Sequence, residues 1–426
     1  MEALSLIKML YERIYLNFYI FDDQNFLVFI KKTSSQNKIF KPSRLKIILK
    51  STNIYKKIMK VLKNRILNYF AVSLVLAFFL VSCSKEQAKY DASNGLKTVA
   101  DFPVGTAIQI QELLDDPKLQ QLQIENFNSI TSDRDMKMNR ITPSEGVYDW
   151  KTIDTILYFA QKNNQRLFGH NLIWHSSTPE WVETKGAKDT VWLAKYMKEY
   201  IQTYVGRYKG KVAGWDVVNE GFDTKGGEYR KTFWYNNLGK SYIEKAFIYA
   251  HEVDPKAILF YNDFNIERDT LKLNAVLAMV KEFQQKGVPI SGIGFQMHIR
   301  MDTPDELIAK SLEKAAATGL QIHLSEVDII FNKHNDSKNG GVQMYKEITE
   351  EMKKAQAEKY KNLVLMYRKI VPKAQQYGIT LWNFNDRDTW INGFFNLTDW
   401  PTIFDDKLSP KLAYFGFKEA LEQDMK

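Results

Sequence analysis

Two glutamates are placed so that they could do chemistry together. Glu220 closes the run Gly-Trp-Asp-Val-Val-Asn-Glu, and Glu326 closes the run Gln-Ile-His-Leu-Ser-Glu. A buried strand has little reason to end in glutamate, because an ionised carboxylate without partners is costly to bury. One such glutamate is more often a salt-bridge partner than a catalyst. Two in one chain predict a pair of carboxylates aimed at one substrate, which is the arrangement that hydrolyses glycosidic bonds.

Polar residues beside the two glutamates favour a shared site. Asn219 offers an amide next to the first glutamate, suited to a sugar hydroxyl. Because side chains alternate along a strand, Asp328 lies on the same face as Glu326 and can orient a histidine or fix the charge of its neighbour. Gln296 and His298, also two residues apart, face inward from the preceding strand. A lone histidine is usually structural, but a place one strand from Glu326 favours a role in the site.

Tryptophans provide a second signal. Trp174 stands four residues after His170 at the end of a predicted strand, and Trp382 and Trp390 flank the loop after the last strand. A single tryptophan usually belongs to a core. Three at one edge of a fold are typical of a platform for pyranose rings, whose CH faces are apolar while their edges form hydrogen bonds.

The elements that must position these residues alternate between apolar strands and amphipathic helices. The strands are predicted at Pro103–Ile108, Phe127–Thr131, Arg166–Trp174, Val212–Val218, Ala257–Asn262, Gly292–His298, Gln321–Ser325 and Gly378–Phe384. Helical segments include Trp150–Asn163, Trp192–Tyr208 and Ala357–Gln376. Eight alternations predict an α/β fold with a single (β/α)8 TIM barrel, whose active site lies at the carboxyl ends of the strands. A doubly wound sheet is less favoured, because no glycine-rich phosphate loop follows the first strand.

The formal charge of +9 comes from the N-terminal part of the chain. Residues 1–82 hold 14 Lys and Arg against 4 Asp and Glu, which leaves 45 basic and 46 acidic residues over 83–426. The main body is therefore nearly neutral, so the basic balance is no argument for nucleic acid. No metal-binding cluster or phosphate loop is apparent. We predict no metal and no cofactor, and we expect a monomer.

The single cysteine, Cys83, follows a sequence typical of secretion. Basic residues between 60 and 65 precede a 13-residue, mostly apolar run over 69–81, as in a signal peptide, and this run is short for a spanning helix. The sequence Leu-Val-Ser-Cys that ends at Cys83 is similar to a bacterial lipobox. We therefore predict a signal peptide over 59–82 and a lipid at Cys83. An uncleaved signal anchor with an incidental cysteine is the alternative.

This interpretation divides the chain into four parts. Residues 1–58 precede Met59 and are interpreted as an upstream mis-start or a cytoplasmic extension. After the signal peptide, residues 83–100 are polar and predicted to be a tether. Residues 101–424 form the predicted catalytic domain. The lipid would attach the protein to a membrane of the bacterial cell envelope.

The motifs together resemble glycoside hydrolase family 10, the β-1,4-xylanase family of the four/seven barrel clan, over about residues 101–424. The matching stretches are Gly169–His175, Thr178–Trp181, Trp215–Glu220, Tyr261–Asn265, Gly292–His298, Ser325–Asp328, Trp382 with Trp390, Phe404 with Asp405, and Pro410 to Tyr414. The resemblance implies that Glu220 is the acid/base and Glu326 the nucleophile. It also implies sugar-binding roles for Asn219, Gln296, His298, His170, Trp174, Trp382 and Trp390, with Asp328 supporting His298.

The chain departs from the family after the second strand. Where the family usually has Glu-Asn-x-x-Lys-Trp, this chain has Asp133-Arg134-Asp135-Met136-Lys137-Met138. Lys137 matches as a sugar contact, Arg134 replaces the asparagine, and Ser177 replaces a glutamine further on. The guanidinium group of Arg134 can donate two parallel hydrogen bonds, which suits a carboxylate such as that of a uronic acid side group. Pairing with Asp133 or Asp135 is the alternative use of this arginine.

The resemblance implies an endo-1,4-β-xylanase that acts by double displacement on xylan or a substituted xylan. Two alternatives stay open at this point. One is a β-1,4-glucanase of the same clan, which differs in pocket room for a C6 hydroxymethyl group. The other is a non-catalytic, glycan-binding surface lipoprotein, against which the intact Glu220 and Glu326 argue.

Overall fold

The computed structural model describes residues 95–424, which form the predicted (β/α)8 barrel. Eight parallel strands each pair with both neighbours, and the barrel closes because β8 pairs with β1 and with β7. The short strand His298–Arg300 continues beyond β6 and pairs with the end of β7. The barrel strands are β1 (Val104–Ile108), β2 (Ser129–Ser132), β3 (Arg166–Trp174), β4 (Val212–Asn219), β5 (Ile258–Asp263), β6 (Gly292–Phe295), β7 (Gln321–Ile330) and β8 (Gln376–Leu381).

Eight helices follow the strands in turn. They are α1 (Pro117–Asn126), α2 (Lys151–Lys162), α3 (Thr190–Arg207), α4 (Ser241–Val253), α5 (Thr270–Lys286), α6 (Asp305–Ala316), α7 (Glu350–Ile370) and α8 (Leu412–Glu422). Shorter helices lie at Leu96–Val99, Ile110–Asp115, Met138–Ile141, Glu180–Gly186, Phe233–Leu238 and Trp390–Phe395, with 3-10 turns at His175–Ser177 and Lys373–Gln375. A two-stranded hairpin, Lys333–His334 with Gly341–Val342, lies in the loop after β7.

Helix periodicity and capping explain why these segments are helical. In α2, the buried residues Ile153, Ile156 and Ala160 follow the spacing of one helix face. At the start of α5, the Asp269 carboxylate accepts hydrogen bonds from two backbone N–H groups. Gly287 ends the same helix with a φ of 69°, a left-handed conformation that costs glycine least.

A layer of rings fills the lower part of the barrel. Phe168 of β3, Phe260 of β5 and Tyr377 of β8 pack around His323 of β7, with ring centroids 4.6–5.8 Å apart. Inward-facing side chains alternate along a strand, so the next inward positions on β3 and β5 are two residues further on. Those positions hold polar residues, and the packed rings therefore form the floor beneath a polar site.

The predicted element boundaries differ from the structure mainly at helix α7. This helix begins at Glu350 rather than Ala357, with Thr349 as its cap. Its first turns are charged and largely exposed, so they lack the apolar period that a sequence search needs. It ends at Ile370 because a proline stands at position 372 and disfavours helix just before it.

The N-terminal predictions fall mostly outside the described residues. Segments 1–58 and 59–82, including the predicted signal peptide, lie there entirely, and so does Cys83. Residues 95–100, the end of the predicted tether, instead belong to the folded domain. Leu96 is fully buried and its N–H donates to Asn126 Oδ1 at 3.3 Å. The domain thus begins by residue 95 and not at 101. Over residues 95–424, the structure contains no helix with the length and apolar character that a membrane span requires.

Candidate active site

The two glutamates meet at the carboxyl end of the barrel, linked by side-chain amides. Asn262 of β5 donates to Glu326 Oε1 at 2.8 Å and to Asn219 Oδ1 at 2.9 Å. Asn219 donates in turn to Glu220 Oε1 at 3.4 Å. Gln296 donates to the same two acceptors, Asn219 Oδ1 at 3.2 Å and Glu220 Oε1 at 3.3 Å. The sequence therefore brings both carboxylates into one hydrogen-bonded network.

Residues of β6 and β7 hold Asn262 in the orientation that this network needs. Ser325 Oγ donates to Asn262 Oδ1 at 2.7 Å, which leaves the amide nitrogen to face Glu326. The residue next to it on β6 is Gly294, where a Cβ would lie 2.2 Å from Asn262 Oδ1. Only glycine leaves room for the amide there. Asn262 stands in a motif singled out from the sequence, but its contact with Glu326 depends on strand register.

The backbone of Glu220 adopts an uncommon conformation with dedicated support. Its φ is 58°, in the left-handed region that non-glycine residues rarely adopt. The next N–H, that of Gly221, donates to the Tyr261 hydroxyl at 2.9 Å. Tyr261 donates to Asp263 Oδ2 at 2.5 Å, and Lys272 forms a fully buried ion pair with Asp263 at 2.7 Å. These contacts fix the turn that aims Glu220 into the site.

Glu326 is buried between two histidines, each held by an aspartate. His298 Nε2 lies 3.4 Å from Glu326 Oε2, and its Nδ1 lies 2.8 Å from Asp328 Oδ2. His170 Nδ1 lies 2.8 Å from Asp216 Oδ2 and 3.9 Å from Glu326 Oε1. The partnership of His298 and Asp328 is the one expected from the sequence. The partnership of His170 with Asp216 is not among the predictions from the sequence, although a carboxylate in an apolar strand is a usable signal.

The electrostatics of this cluster favour an ionised Glu326. Burial alone raises the pKa of Glu326, but the charges of His170, His298 and Lys137 outweigh it and lower the pKa below its usual value. Burial opposes protonation of His298, yet Asp328 and Glu326 raise its pKa to about 10. His298 is therefore a cation between two carboxylates at neutral pH.

Lys137 and two tryptophans form one wall of the site. The Lys137 ammonium lies 4.6 Å from the ring centroid of Trp174 and 5.8 Å from that of Trp382, within the range of cation–π attraction. Burial lowers the pKa of Lys137. Trp382 also contacts the ring of His170 at 5.1 Å. This wall comes from the ends of β2, β3 and β8.

Trp390 lies on the side of the site that holds His298 and Asp328. Its Nε1 donates to Asp328 Oδ2 at 2.9 Å, and its ring lies 4.9 Å from the ring of His298. It is the first residue of the short helix Trp390–Phe395 in the loop after β8. Trp382 and Trp390 thus contact the histidines that flank Glu326, and Trp174 adjoins the same site through Lys137.

Arg134 stands apart from this cluster. It is the one exposed residue among the predicted sugar contacts, with 49% of its side chain accessible. Its Nε lies 3.8 Å from Asp135 Oδ1, which is too long for a close ion pair. Ser177 is buried and donates to the Trp174 carbonyl at 3.3 Å, so it supports the wall from behind. Among residues 95–424, no group of three His, Cys, Asp or Glu side chains is placed to hold a metal ion.

Replacing Asp328 with asparagine is expected to move the pH profile of the enzyme. Burial would then lower the pKa of His298 with less opposition, and Glu326 would lose its cationic neighbour, so its own pKa rises. We expect the acidic limb of kcat/KM to shift up by about one pH unit or more, since a close charge moves a pKa by about 1–3 units. Asp424→Asn, at an exposed position, is the control. An unchanged limb would remove Asp328 from this role.

The free energy of unfolding of the wild type should also depend on the protonation of His298. The raised pKa of His298 contributes stability that is complete below its ordinary value of 6.5 and is lost as the pH rises through about 10. Thermal unfolding of the wild type and Asp328→Asn between pH 6 and pH 10.5 measures this contribution. The difference in Tm between the two should shrink as the pH rises.

Known proteins share this chain's sequence and fold. The family model for glycosyl hydrolase family 10 matches residues 94–420. A β-1,4-xylanase from Dictyoglomus thermophilum is 37% identical over 83% of this chain and 98% of its own length. Endo-1,4-β-xylanase B from Thermotoga neapolitana is 36% identical over 74% of this chain and 86% of its own.

A solved structure gives the same result at the level of the fold. A mutant of xylanase10C from Cellvibrio japonicus in complex with xylopentaose superposes with a TM-score of 0.73 and 32% identity, over 78% of this chain and 70% of that one. The match of the family model to most of the chain, together with the identity to full-length relatives, shows that this protein belongs to glycosyl hydrolase family 10.

Proposed function

We propose that this protein is an endo-1,4-β-xylanase, which cleaves internal β-1,4-xylosidic bonds of xylan or substituted xylan with retention of configuration. Family membership and the xylanase relatives give the reaction and the substrate class. The observation that carries the proposal at the site is the buried, ionised Glu326 in the same hydrogen-bonded network as Glu220. A retaining glycosidase needs such a pair.

In the first step, Glu326 attacks the anomeric carbon of the sugar as a carboxylate. Its lowered pKa keeps it ionised, and the amide of Asn262 at 2.8 Å holds one oxygen in place. Glu220, protonated, donates its proton to the glycosidic oxygen as the bond to the leaving sugar breaks. The product of this step is a glycosyl ester on Glu326, and the leaving chain departs as an alcohol.

In the second step, water enters from the side that the leaving chain has vacated. Glu220, now a carboxylate, takes a proton from this water as its oxygen attacks the anomeric carbon. The ester bond to Glu326 breaks, and the sugar leaves with its original configuration. We expect Asn219, Gln296 and His298 to hold sugar hydroxyls during both steps, and Trp174 and Trp382 to carry the sugar faces, since these side chains lie beside the two glutamates or their partners.

The assay for this proposal compares linear xylo-oligosaccharides with linear β-1,4-gluco-oligosaccharides of equal length. We expect hydrolysis of the xylose series with the β-anomer formed first in NMR spectra. Faster hydrolysis of the glucose series would instead indicate a β-1,4-glucanase. Binding without hydrolysis of either would indicate a glycan-binding protein.

We also propose that the protein is a lipoprotein of the bacterial cell envelope, anchored through Cys83. The support is the basic segment, the short apolar run over 69–81 and the lipobox-like sequence ending in Cys83. A Cys83→Ser variant, expressed with its signal, should leave the membrane fraction or remain unprocessed. Mass spectrometry that finds a free thiol at Cys83 in a longer chain would contradict the proposal.

A further inference from the structure

A second pocket opens where the loops after β4 to β7 meet. Its volume is about 440 Å³, within the range of ~300–1,000 Å³ that is typical of small-molecule sites. None of its lining residues takes part in the reaction proposed above. They include Lys225, Asn265, Arg268, Arg300, His334 and Asp336.

The pocket begins just beyond the catalytic layer. Asn265 follows Asn262 by three residues, and Arg300 follows His298 by two. The wall formed by Lys137 and the tryptophans belongs to β2, β3 and β8, on the other side of the barrel mouth. A polysaccharide that lies across the mouth therefore places one half over this wall and the other half beside the pocket. The loops after β4 to β7 therefore face one half of the substrate chain only.

The oxygen acceptors of the pocket already have partners. Asp336 faces His334 Nδ1 at 3.2 Å and accepts from Arg268 Nη2 at 3.1 Å and Asn265 Nδ2 at 3.3 Å. Although burial opposes it, the contact with His334 and the charge of Arg268 lower the pKa of Asp336 to about 2. Asp269 accepts from the backbone of α5 and from the Gly226 N–H at 3.0 Å.

The donors of the pocket, by contrast, are open. Lys225 is exposed and forms no hydrogen bond or ion pair within the described part of the chain. Arg300 uses Nε and Nη2 on the exposed Asp302, at 2.9 and 3.5 Å, which leaves Nη1. The side chain of His334 is only 3% exposed, and its Nε2 is buried without a hydrogen-bond partner, so this ring shapes the pocket wall and is not an open donor.

A ring-stacking contact and an apolar surface complete the pocket. The His334 ring stacks on Phe395 with centroids 4.1 Å apart, so its orientation is fixed. Leu271, at the pocket edge, is 68% exposed and offers an apolar surface to the CH face of a sugar. Open donors, filled acceptors and an apolar edge together select a sugar that carries an acceptor-rich group.

We propose that this pocket binds the carboxylate of a uronic acid substituent on the half of the xylan chain that lies beside it. The inference rests on the proposed xylanase function and specifies its substrate. A carboxylate has only acceptors, and it meets the open groups of Lys225 and Arg300. Neutral hydroxyls would use these donors less well, because hydrogen bonds between charged groups are the stronger ones.

The test compares three substrates that differ in one property each. They are glucuronoxylan, the same polymer after its uronic acids are reduced to neutral hexoses, and linear xylo-oligosaccharides. The variants are Lys225→Gln, Arg300→Gln and their double variant, with Lys162→Gln as a matched control, since Lys162 is exposed at the end of α2. Arg134→Asn separates this pocket from the exposed arginine on the opposite side.

We expect the wild type to prefer glucuronoxylan over the reduced polymer in kcat/KM. The double variant should lose about tenfold on glucuronoxylan, the ratio that one charge-assisted contact supplies, with the other two substrates unchanged. The wild-type preference should also weaken with added salt. Equal rates of the wild type on the charged and reduced polymers, or equal losses of the double variant on all three substrates, would overturn the proposal. Activity on linear xylo-oligosaccharides tests the xylanase function separately, so the two failures are distinguishable.

Discussion

Glu326→Ala is expected to lower kcat on xylo-oligosaccharides by roughly 10⁴-fold or more, about 5.4 kcal/mol of barrier. The variant lacks the oxygen that forms the covalent bond to the sugar, and no other carboxylate in the hydrogen-bonded network takes this position. Asn262 and His298 lose an acceptor, but His298 keeps Asp328 at 2.8 Å. The variant should therefore fold, as circular dichroism and thermal unfolding can show.

Added azide distinguishes a missing nucleophile from a damaged site. A small anion fits the space of the removed carboxylate and attacks the anomeric carbon from the same face, so the glycosyl azide forms with inverted configuration. This reaction needs a substrate with a good leaving group, such as an aryl xylobioside. Glu347→Ala, at an exposed position in the loop after β7, is the matched control. Residual activity of the Glu326 variant above ~10% without azide would remove Glu326 from the role of nucleophile.

The barrel and the position of its two glutamates could be predicted from the sequence for a physical reason. Strands that alternate with amphipathic helices can form only a few kinds of fold, and a parallel barrel brings the carboxyl ends of all its strands to one face. Glu220 and Glu326 each end an apolar run, so their meeting follows from topology alone. The boundaries of strands β3 and β4 were predicted within one residue for the same reason.

The contacts that support the two glutamates could not be predicted from the sequence, because they depend on the register between strands. Asn262 can join the two glutamates only with Gly294 beside it and with the Ser325 hydroxyl bonded to its amide oxygen, and these two residues come from two further strands. The support of Glu220 by Tyr261 depends on a turn conformation that no residue type reveals. The pocket with Lys225 gathers residues from four loops, whose paths are not encoded in any periodicity.

Glu220→Ala is expected to separate the two steps of the reaction. On xylo-oligosaccharides, whose leaving group needs a proton, we expect a loss of about 10²–10⁴ in kcat/KM, the usual contribution of a general acid or base. On an aryl xylobioside with an acidic phenol, the first step needs no proton donor, so kcat/KM should be nearly unchanged. The second step still needs a base, so the glycosyl ester on Glu326 accumulates, and both kcat and KM fall.

With the Glu220 variant, azide should give a product of the opposite configuration to that of the Glu326 variant. This product identifies Glu220 as the acid/base. Azide needs no general base, so it should attack the ester on the face that Glu220 occupied and give a glycosyl azide with retained configuration. Glu326→Ala gives the inverted product, so the pair of variants assigns both roles in one experiment. Glu228→Ala, an exposed glutamate in the same loop after β4, should leave rates on both substrates unchanged. Equal losses on the natural and the activated substrate, or an inverted azide product, would show that Glu220 is not the proton donor. Its left-handed backbone and the Tyr261 contact would then serve only to shape the turn after β4.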